Sequence, residues 1–239
     1  MSAQSGKSQY LQGLRDGLPV ILGVFPVGIA FAVIARQAGW SAAESLAMSA
    51  FVFAGASQMM AAGMYIQGAS LFAIILATFI LNLRHLIMST CISNRMRRTP
   101  AALKLLAAFG VCDETFAIFS TAEKSKCSLP YFLGLFGTVY FPWVLGTAAG
   151  IVASEFLPPS LTASLGIALY AMFIGLLMPG LTRSKKLAAL VLLTALCNFF
   201  LSRCMASSWA LIFSTLICAA VGAAFPDPEE EKETANDKL

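Results

Sequence analysis

The chain has 239 residues, of which 58% are hydrophobic and only 12% are charged, and its mean hydropathy is +0.78. A soluble domain is about half apolar and about one quarter charged, so this composition excludes a water-soluble globular protein. The formal net charge is +4, but six of the twelve acidic residues lie within residues 226–239. The rest of the chain is strongly basic. In a membrane protein this reflects orientation against the inner leaflet of the lipid bilayer, so a nucleic-acid partner is not predicted.

The distribution of apolar residues divides the chain into three regions. Residues 1–17 are predicted to form a polar N-terminal arm, and residues 18–225 a transmembrane domain. Residues 226–239 form an acidic, proline-containing tail, whose low hydrophobicity predicts disorder. The first apolar stretch resembles a cleaved signal peptide in part, but its length and the many later spans favour a retained helix.

Eight apolar segments follow one another within the transmembrane domain. In chain order they are residues 18–35, 44–66, 71–93, 105–121, 129–153, 161–181, 187–201 and 205–225. Each approaches the roughly 20 residues that a helix needs to cross a hydrocarbon core of about 30 Å. The sequence therefore predicts an all-α, polytopic transmembrane bundle of about seven helices.

The basic residues indicate the orientation of these segments. By the positive-inside rule, the loops at residues 95–104, 124–126 and 183–186 are cytoplasmic, and the loop at residues 154–160 is external. If the N-terminus is also cytoplasmic, an even number of crossings must precede residue 95, yet three apolar segments do. We therefore expect at least one segment to be broken or re-entrant.

Segment 105–121 is a second candidate for an incomplete crossing. Asp113 and Glu114 interrupt it, and it lies between two loops predicted to be cytoplasmic. Irregular backbone at membrane depth is tolerated only where it is buried in protein or faces a water-filled cavity. The interruptions are therefore where a functional site is expected.

Two short sequence matches indicate an internal repeat, unless they coincide by chance. Phe25-Pro26 precedes Phe53-Ala54-Gly55 at nearly the spacing at which Phe141-Pro142 precedes Phe173-Ile174-Gly175. Many secondary transporters are built from such repeats, with the substrate site between them. Pro26 and Pro142 would kink their helices and could act as hinges or be merely architectural. Gly146-x-x-x-Gly150 would seat another helix of this chain or of a partner.

The first candidate site is the run from Gly55 to Gln58 in the middle of an apolar segment. Gly55 would allow another backbone to approach closely, while Ser57 and Gln58 supply a hydroxyl and an amide. These groups can bind the carboxylate or the ammonium of a small zwitterion. The alternative is that Gly55, Ala56 and Ser57 only pack against a neighbouring helix, and that Gln58 is hydrogen-bonded across it.

The second candidate site contains Asn82, Arg84 and His85, the only histidine of the chain. Ionisable residues at membrane depth are costly and usually face a cavity or a charged partner. Arg84 could bind a substrate carboxylate, and His85 could exchange a proton near physiological pH. Alternatively, both lie at the cytoplasmic interface and extend toward lipid headgroups.

The third candidate site is the acidic pair Asp113 and Glu114. In an apolar segment a carboxylate is either neutralised by desolvation or paired with a cation such as Arg84. Either arrangement would suit proton coupling or the recognition of a substrate ammonium. The alternative is an amphipathic segment in which both carboxylates are solvated.

No cofactor is predicted. The six cysteines form no Cys-x-x-Cys pair, so neither a metal site nor a disulfide framework is expected. No Gly-x-x-x-x-Gly-Lys-Ser/Thr motif for ATP occurs. Gly55-Ala56-Ser57 and His85 could in principle form the dyad of an intramembrane serine hydrolase, but no other catalytic signature accompanies them, so an enzyme is not predicted.

Together, these motifs resemble the AzlC family, the large subunit of bacterial branched-chain amino acid exporters. The resemblance covers about residues 11–225. It rests on Gly13-Leu14-Arg15-Asp16-Gly17-Leu18-Pro19, Phe53-Ala54-Gly55-Ala56-Ser57-Gln58, Asn82-Leu83-Arg84-His85 and Asp113-Glu114, in that order.

The resemblance implies that residues 18–225 are a transport domain in the bacterial inner membrane. It implies export of branched-chain amino acids, methionine among the other candidates, with a small multi-helix AzlD-like partner subunit. From the residues we add proton coupling as a hypothesis, with Gly55, Ser57, Gln58, Asn82 and Arg84 binding substrate and His85, Asp113 and Glu114 carrying the proton. A passive channel and a regulatory membrane subunit remain alternatives.

Overall fold

The structure is a computed structural model that describes residues 6–96, 99–156, 174, 178, 181–182, 184–205 and 207–224. Over these ranges the chain forms nine α-helices and no strand. They are α1 (Gly6–Gln37), α2 (Ala42–Phe51), α3 (Gly55–Ile66), α4 (Leu71–Arg95), α5 (Ala101–Ala108), α6 (Asp113–Thr121), α7 (Leu129–Ser154), α8 (Lys185–Cys204) and α9 (Ser207–Ala224). The all-α prediction is confirmed. Most of the predicted segment 161–181, the motif at residues 173–175 except Ile174, and the acidic tail lie outside the described residues.

Helix length separates the elements that can cross a membrane from those that cannot. Among the described residues, α1, α4, α7 and α8 are long and apolar enough to span it. Helices α2, α3, α5 and α6 have 10, 12, 8 and 9 residues. At 1.5 Å per residue, each covers only about 12–18 Å of a core about 30 Å thick. None of these four helices crosses the membrane alone.

The chain divides into two compact units. The first contains the described residues between 6 and 68 and between 81 and 156. The second contains residues 69–80 together with α8 and α9. Within the second unit, Asn198 Nδ2 donates to Ser214 Oγ at 3.1 Å, which joins α8 to α9. No described side chain of α8 is fully buried, so this helix leaves much apolar surface for lipid or protein.

Helices α1 and α7 pack along a seam of glycines in the first unit. A Cβ atom added to any of four of these glycines would overlap the opposite helix. The contacts, in order along α1, are Gly13 with Tyr131, Gly17 with Thr138, Phe25 with Gly146 and Ile29 with Gly150. Residue numbers rise together on both helices, so α1 and α7 run parallel. The Gly146-x-x-x-Gly150 face therefore seats α1 of this chain.

This seam extends into the segment predicted to be a polar arm. Residues 6–17 form the first turns of α1, and Gly13 and Gly17 are buried against α7. Both long helices continue without a break through Pro26 and Pro142, so the hinge role of these prolines stays a prediction. Because α7 follows the basic residues at 124–126, the positive-inside rule predicts a cytoplasmic N-terminus for α7, and the parallel α1 would then begin on the same side.

Helices α2 and α3 form a hairpin that enters and leaves the membrane on one side. Their chain is interrupted at Phe53, whose φ of +47° lies in the left-handed region. Trp40, just before α2, and Tyr65, near the end of α3, have ring centroids 6.4 Å apart. The chain therefore returns to the side from which it entered. We call residues 42–66 the first hairpin. The first hairpin accounts for the incomplete crossing that is required if the N-terminus and residue 95 both lie in the cytoplasm.

Helices α5 and α6 form a second hairpin, residues 101–121, whose two ends both lie on the side where α4 ends. Arg95, at the end of α4, donates through Nη1 to Phe119 O at 2.9 Å and to Ala122 O at 3.2 Å. The end of α6 is thus held next to the end of α4, from which a short loop leads to α5. The prediction that segment 105–121 dips without crossing agrees with this arrangement.

The tips of the two hairpins meet. The ring centroids of Phe53, in the first tip, and Phe109, in the second, are 6.0 Å apart. Both rings also pack against Phe136 and Tyr140 of α7, with centroid distances of 5.2–6.1 Å. The prediction of at least one broken or re-entrant helix is confirmed. Two such elements, one from each side, meet beside the middle of α7.

Candidate functional site at the hairpin tips

Side chains satisfy the backbone where the first hairpin is interrupted. Ala54 N donates to Gln58 Oε1 at 3.1 Å, and Ala54 O accepts from Ser57 Oγ at 2.9 Å. Because Ala54 N is used in this way, Ala50 O lacks the partner that a continuous helix would give it. Tyr140 Oη of α7 donates to Ala50 O at 3.0 Å instead. The interruption is therefore a specific structure, supported by residues of its own hairpin and of α7.

Gly55 allows the first turn of α3 to lie directly against α7. A Cβ atom at this position would be 2.9 Å from Cη2 of Trp143. The indole ring of Trp143 also stacks on Phe31 of α1, with centroids 5.8 Å apart. Gly55 thus packs closely against another helix, which was one of its two predicted alternatives. The ring of Trp143 lies beside the N-terminus of α3.

Asn82 of α4 joins this part of the first hairpin. Its Nδ2 donates to Ser57 Oγ at 3.1 Å. Three buried polar atoms here have no hydrogen-bond partner among the described residues: Gln58 Nε2, Asn82 Oδ1 and Trp143 Nε1. The side chain of Gln58 is 0% exposed. Buried polar groups are nearly always hydrogen-bonded, so this concentration of unsatisfied atoms calls for an explanation.

The interruption of the second hairpin is supported in a similar way. Thr115 Oγ1 accepts from Cys112 N at 3.0 Å and donates to Gly110 O at 2.9 Å. His85 Nδ1 of α4 lies 3.0 Å from Val111 O. A carbonyl oxygen can only accept, so Nδ1 carries the hydrogen and His85 is the donor.

An ion pair joins α4 to the first turn of α6. Arg84 Nη1 lies 2.9 Å from Asp113 Oδ2, and the two side chains are 31% and 26% exposed. The structure therefore shows Arg84 and Asp113 as partners, one of the arrangements predicted for the acidic pair. The N-terminus of a helix carries a partial positive charge, which also favours the carboxylates of Asp113 and half-buried Glu114. In this structure the carboxylate that Arg84 binds is that of Asp113.

Three residues of α4 thus contact the two hairpin tips. Asn82 binds the first hairpin through Ser57, while Arg84 and His85 bind the second through Asp113 and Val111. The N-termini of α3 and α6, the second helix of each hairpin, both lie at the tips. The predicted candidates therefore fall into two groups, one at each hairpin tip, which α4 joins.

The structure offers no support for a serine hydrolase. Ser57 Oγ donates to Ala54 O and accepts from Asn82, while His85 Nδ1 donates to Val111 O. No hydrogen bond joins Ser57 to His85 within the part of the chain that the structure describes. In the same part, no group of three or more His, Cys, Asp or Glu side chains could hold a metal ion.

Sequence reasoning missed Tyr140 and Trp143. A tyrosine and a tryptophan in an apolar helix are usually read as residues at the membrane interface. Their position on either side of Pro142, in the middle of a predicted span, was the available signal that they lie inside the protein.

Comparison with known proteins places the chain among membrane proteins. The model of the family described as AzlC protein matches residues 19–157. An uncharacterized membrane protein of Archaeoglobus fulgidus is 35% identical over 185 residues, 76% of this chain and 80% of the relative. The inner membrane protein YgaZ of Escherichia coli is 31% identical over 197 residues, 78% of this chain and 80% of the relative. The branched-chain amino acid transport protein AzlC of Bacillus subtilis is 28% identical over 188 residues, 75% and 72% of the two chains. No solved structure matches.

Proposed function

Because this integral membrane protein belongs to the AzlC family, we propose that it is an inner-membrane exporter of branched-chain amino acids. The proposal includes a secondary-transport mechanism and a small AzlD-like partner subunit. The name of the Bacillus subtilis relative supports the substrate class, and methionine is a further candidate substrate. Amino acids of this class are zwitterions with an apolar side chain, which suits a site of neutral polar groups among aromatic rings.

The observation that carries the proposal is the bridge that α4 makes between the two hairpin tips. A secondary transporter must open its site to one side of the membrane at a time, and such sites lie on discontinuous helices. Here one hairpin enters from each side, and Phe53 and Phe109 close the space between the tips. Movement of the first hairpin opens the site outward, and movement of the second opens it inward.

The ion pair of Arg84 with Asp113 is the proposed point of proton coupling. Protonation of Asp113 removes its charge, so that its attraction for Arg84 is lost and the first turn of α6 is released from α4. Asn82 lies one helical turn or less from Arg84 and binds Ser57, so a shift of α4 reaches the first hairpin. His85, whose Nε2 remains available to exchange a proton, and Glu114 are further candidate carriers.

The test is efflux of preloaded, labelled leucine from cells that express the chain with its small partner subunit. We expect efflux to depend on the proton gradient and on both chains. Asp113→Asn should abolish gradient-driven efflux while leaving exchange of labelled for unlabelled leucine. Glu123→Gln is the matched control, because Glu123 is an exposed carboxylate two residues after the same hairpin.

The alternatives give different results in this assay. A passive channel would release leucine equally before and after the proton gradient is collapsed. A regulatory subunit would release no leucine, valine, isoleucine or methionine in any setting. If Asp113→Asn and His85→Gln both export as the unaltered protein does, the assignment of proton coupling to these residues is wrong.

A further inference from the structure

We infer that Gln58 Nε2 and Asn82 Oδ1 are the two poles of the substrate subsite, with Gln58 binding the carboxylate of an α-amino acid and Asn82 binding its ammonium. This inference rests on the proposed function and assigns the orientation of the substrate. It differs from the expectation that Arg84 binds the carboxylate.

The hydrogen-bond network fixes which atom of each amide is free. Gln58 accepts a hydrogen bond from Ala54 N, so the bonded atom must be Oε1 and the free atom is the Nε2 donor. Ser57 uses its hydroxyl hydrogen for Ala54 O, so it can only accept from Asn82. The atom of Asn82 bonded to Ser57 is therefore Nδ2, and the free atom is the Oδ1 acceptor. The orientation of neither amide is arbitrary.

The free donor lies at the N-terminus of α3. The carboxamide of Gln58 reaches back to Ala54, the residue before the helix, so Nε2 lies beside the first turn. The first N–H groups of a helix have no intrahelical acceptor, and the end of the helix carries a partial positive charge. A carboxylate accepts hydrogen bonds and is negatively charged, so both features favour it at this pole. Trp143, whose Nε1 is also a buried donor without a partner, forms the wall of the same turn.

The free acceptor belongs to the α4 side chain that binds Ser57. Asn82 Oδ1 is buried and has no donor among the described residues. An ammonium group supplies only donors, so it satisfies this atom and cannot satisfy Gln58 Nε2. One donor pole and one acceptor pole, both buried and linked through Ala54 and Ser57, therefore match a small molecule with a carboxylate and an ammonium on one carbon.

Neither pole carries a formal charge. Arg84 and Asp113, the charged residues nearest along α4 and at the second tip, are engaged with each other. The subsite can then release its zwitterion without separating a strong ion pair. The charged pair remains available to respond to protons. Substrate binding and proton coupling thus use different residues of the same helix.

The test compares three labelled ligands on the full-length protein, purified with its small partner subunit. The ligands are leucine, the oxo acid 4-methyl-2-oxopentanoate, which lacks the ammonium, and leucine methyl ester, which lacks the carboxylate. Gln58→Glu keeps an oxygen for Ala54 N but replaces the free donor with an acceptor. Asn82→Leu removes the free acceptor, whereas Asn82→Gln retains an amide acceptor together with the amide donor that Ser57 requires. Gln67→Glu, directly after α3, and Asn94→Leu, in α4, make the same chemical changes at exposed positions.

We expect Gln58→Glu to weaken leucine binding about 10- to 100-fold, the loss typical of a hydrogen bond to a charged group, without weakening binding of the ester. Asn82→Leu should weaken leucine binding by a similar factor without weakening binding of the oxo acid, and Asn82→Gln should retain leucine binding. The control variants should bind all three ligands as the unaltered protein does. A monodisperse size-exclusion profile shows that each variant is folded.

Other outcomes overturn the inference in distinguishable ways. If the unaltered protein exports leucine but the variants keep its ligand preferences, the poles are wrong and the proposed function stands. If Gln58→Glu and Asn82→Leu weaken all three ligands equally, the two amides support the fold and do not discriminate the ends of the substrate. If the unaltered protein binds no amino acid, both the inference and the proposed function fail.

Discussion

The seam between α1 and α7 allows a comparison of two glycines on one helix. Gly13→Ala would place a methyl group onto the carbonyl of Tyr131, and the same group would lie 3.0 Å from Tyr131 C and 3.1 Å from Leu135 N. These are backbone atoms that cannot rotate away, so the helices must separate. Gly23→Ala is the matched control, because a Cβ atom there meets nothing within 4 Å.

The expected difference follows from two opposing effects. Alanine stabilises a helix interior by up to about 1 kcal/mol relative to glycine, and this gain applies to both variants. Inserting a methyl group into a packed contact costs about 1–3 kcal/mol, and this cost applies only to Gly13→Ala. The gain cancels when the variants are compared. The free energy of unfolding of Gly13→Ala should therefore be about 1–3 kcal/mol lower than that of Gly23→Ala.

Thermal unfolding of the two purified variants in detergent, followed by intrinsic fluorescence, measures this difference. For a chain of this size, 1 kcal/mol corresponds to about 2–4 °C, so the two melting temperatures should differ by about 2–12 °C. Gly23→Ala should melt at or slightly above the unaltered protein. If Gly13→Ala melts as high as Gly23→Ala, α1 and α7 do not pack along these glycines.

Three further predictions concern the hairpins. Tyr140→Phe keeps the ring but leaves Ala50 O without its donor, which costs about 1–3 kcal/mol. This variant should therefore have a lower melting temperature in the same assay. An unchanged melting temperature would show that this hydrogen bond is dispensable. Phe53→Gly should be about 1 kcal/mol more stable than Phe53→Ala. Glycine adopts a positive φ without the penalty of about 1–2 kcal/mol that alanine bears. If Phe53→Ala is the more stable of the two variants, residue 53 does not have a left-handed backbone. In a chain without its native cysteines, Trp40→Cys and Gln67→Cys should both react with a membrane-impermeant maleimide from outside intact cells, whereas labelling from opposite sides would show that α2 and α3 cross the membrane.

Charge and hydropathy were enough to predict that some segments do not cross, but not where the chain bends. The orientation of residue 95 required an incomplete crossing, and Asp113 with Glu114 marked one interruption. The other interruption lies at Phe53, an aromatic residue with a positive φ, which bulky side chains disfavour. The rings of Phe109, Phe136 and Tyr140 surround it there. These long-range contacts cannot be read from the local sequence.

The candidate site was predictable in its charges more than in its neutral contacts. A charge at membrane depth needs a partner, and few are present, so Arg84 and Asp113 could be paired from sequence. A hydroxyl or an amide can form a hydrogen bond with almost any polar neighbour, so the sequence did not predict that Asn82 contacts Ser57. Similarly, Gly146 and Gly150 predicted a close-packed face, but a surface of small residues fits many helices and does not identify α1 as the partner helix.

The hydrogen bond from Tyr140 to Ala50 O also constrains the biosynthesis of the chain. The first hairpin leaves the ribosome well before α7, yet this carbonyl gains its donor only when α7 has been made and inserted. Until then the tip must stay hydrated or partly unfolded, because an unsatisfied carbonyl is costly in lipid. Nascent chains that end before residue 129 should accordingly be poor insertion intermediates and preferred substrates of membrane proteases, whereas chains that include α7 should become resistant.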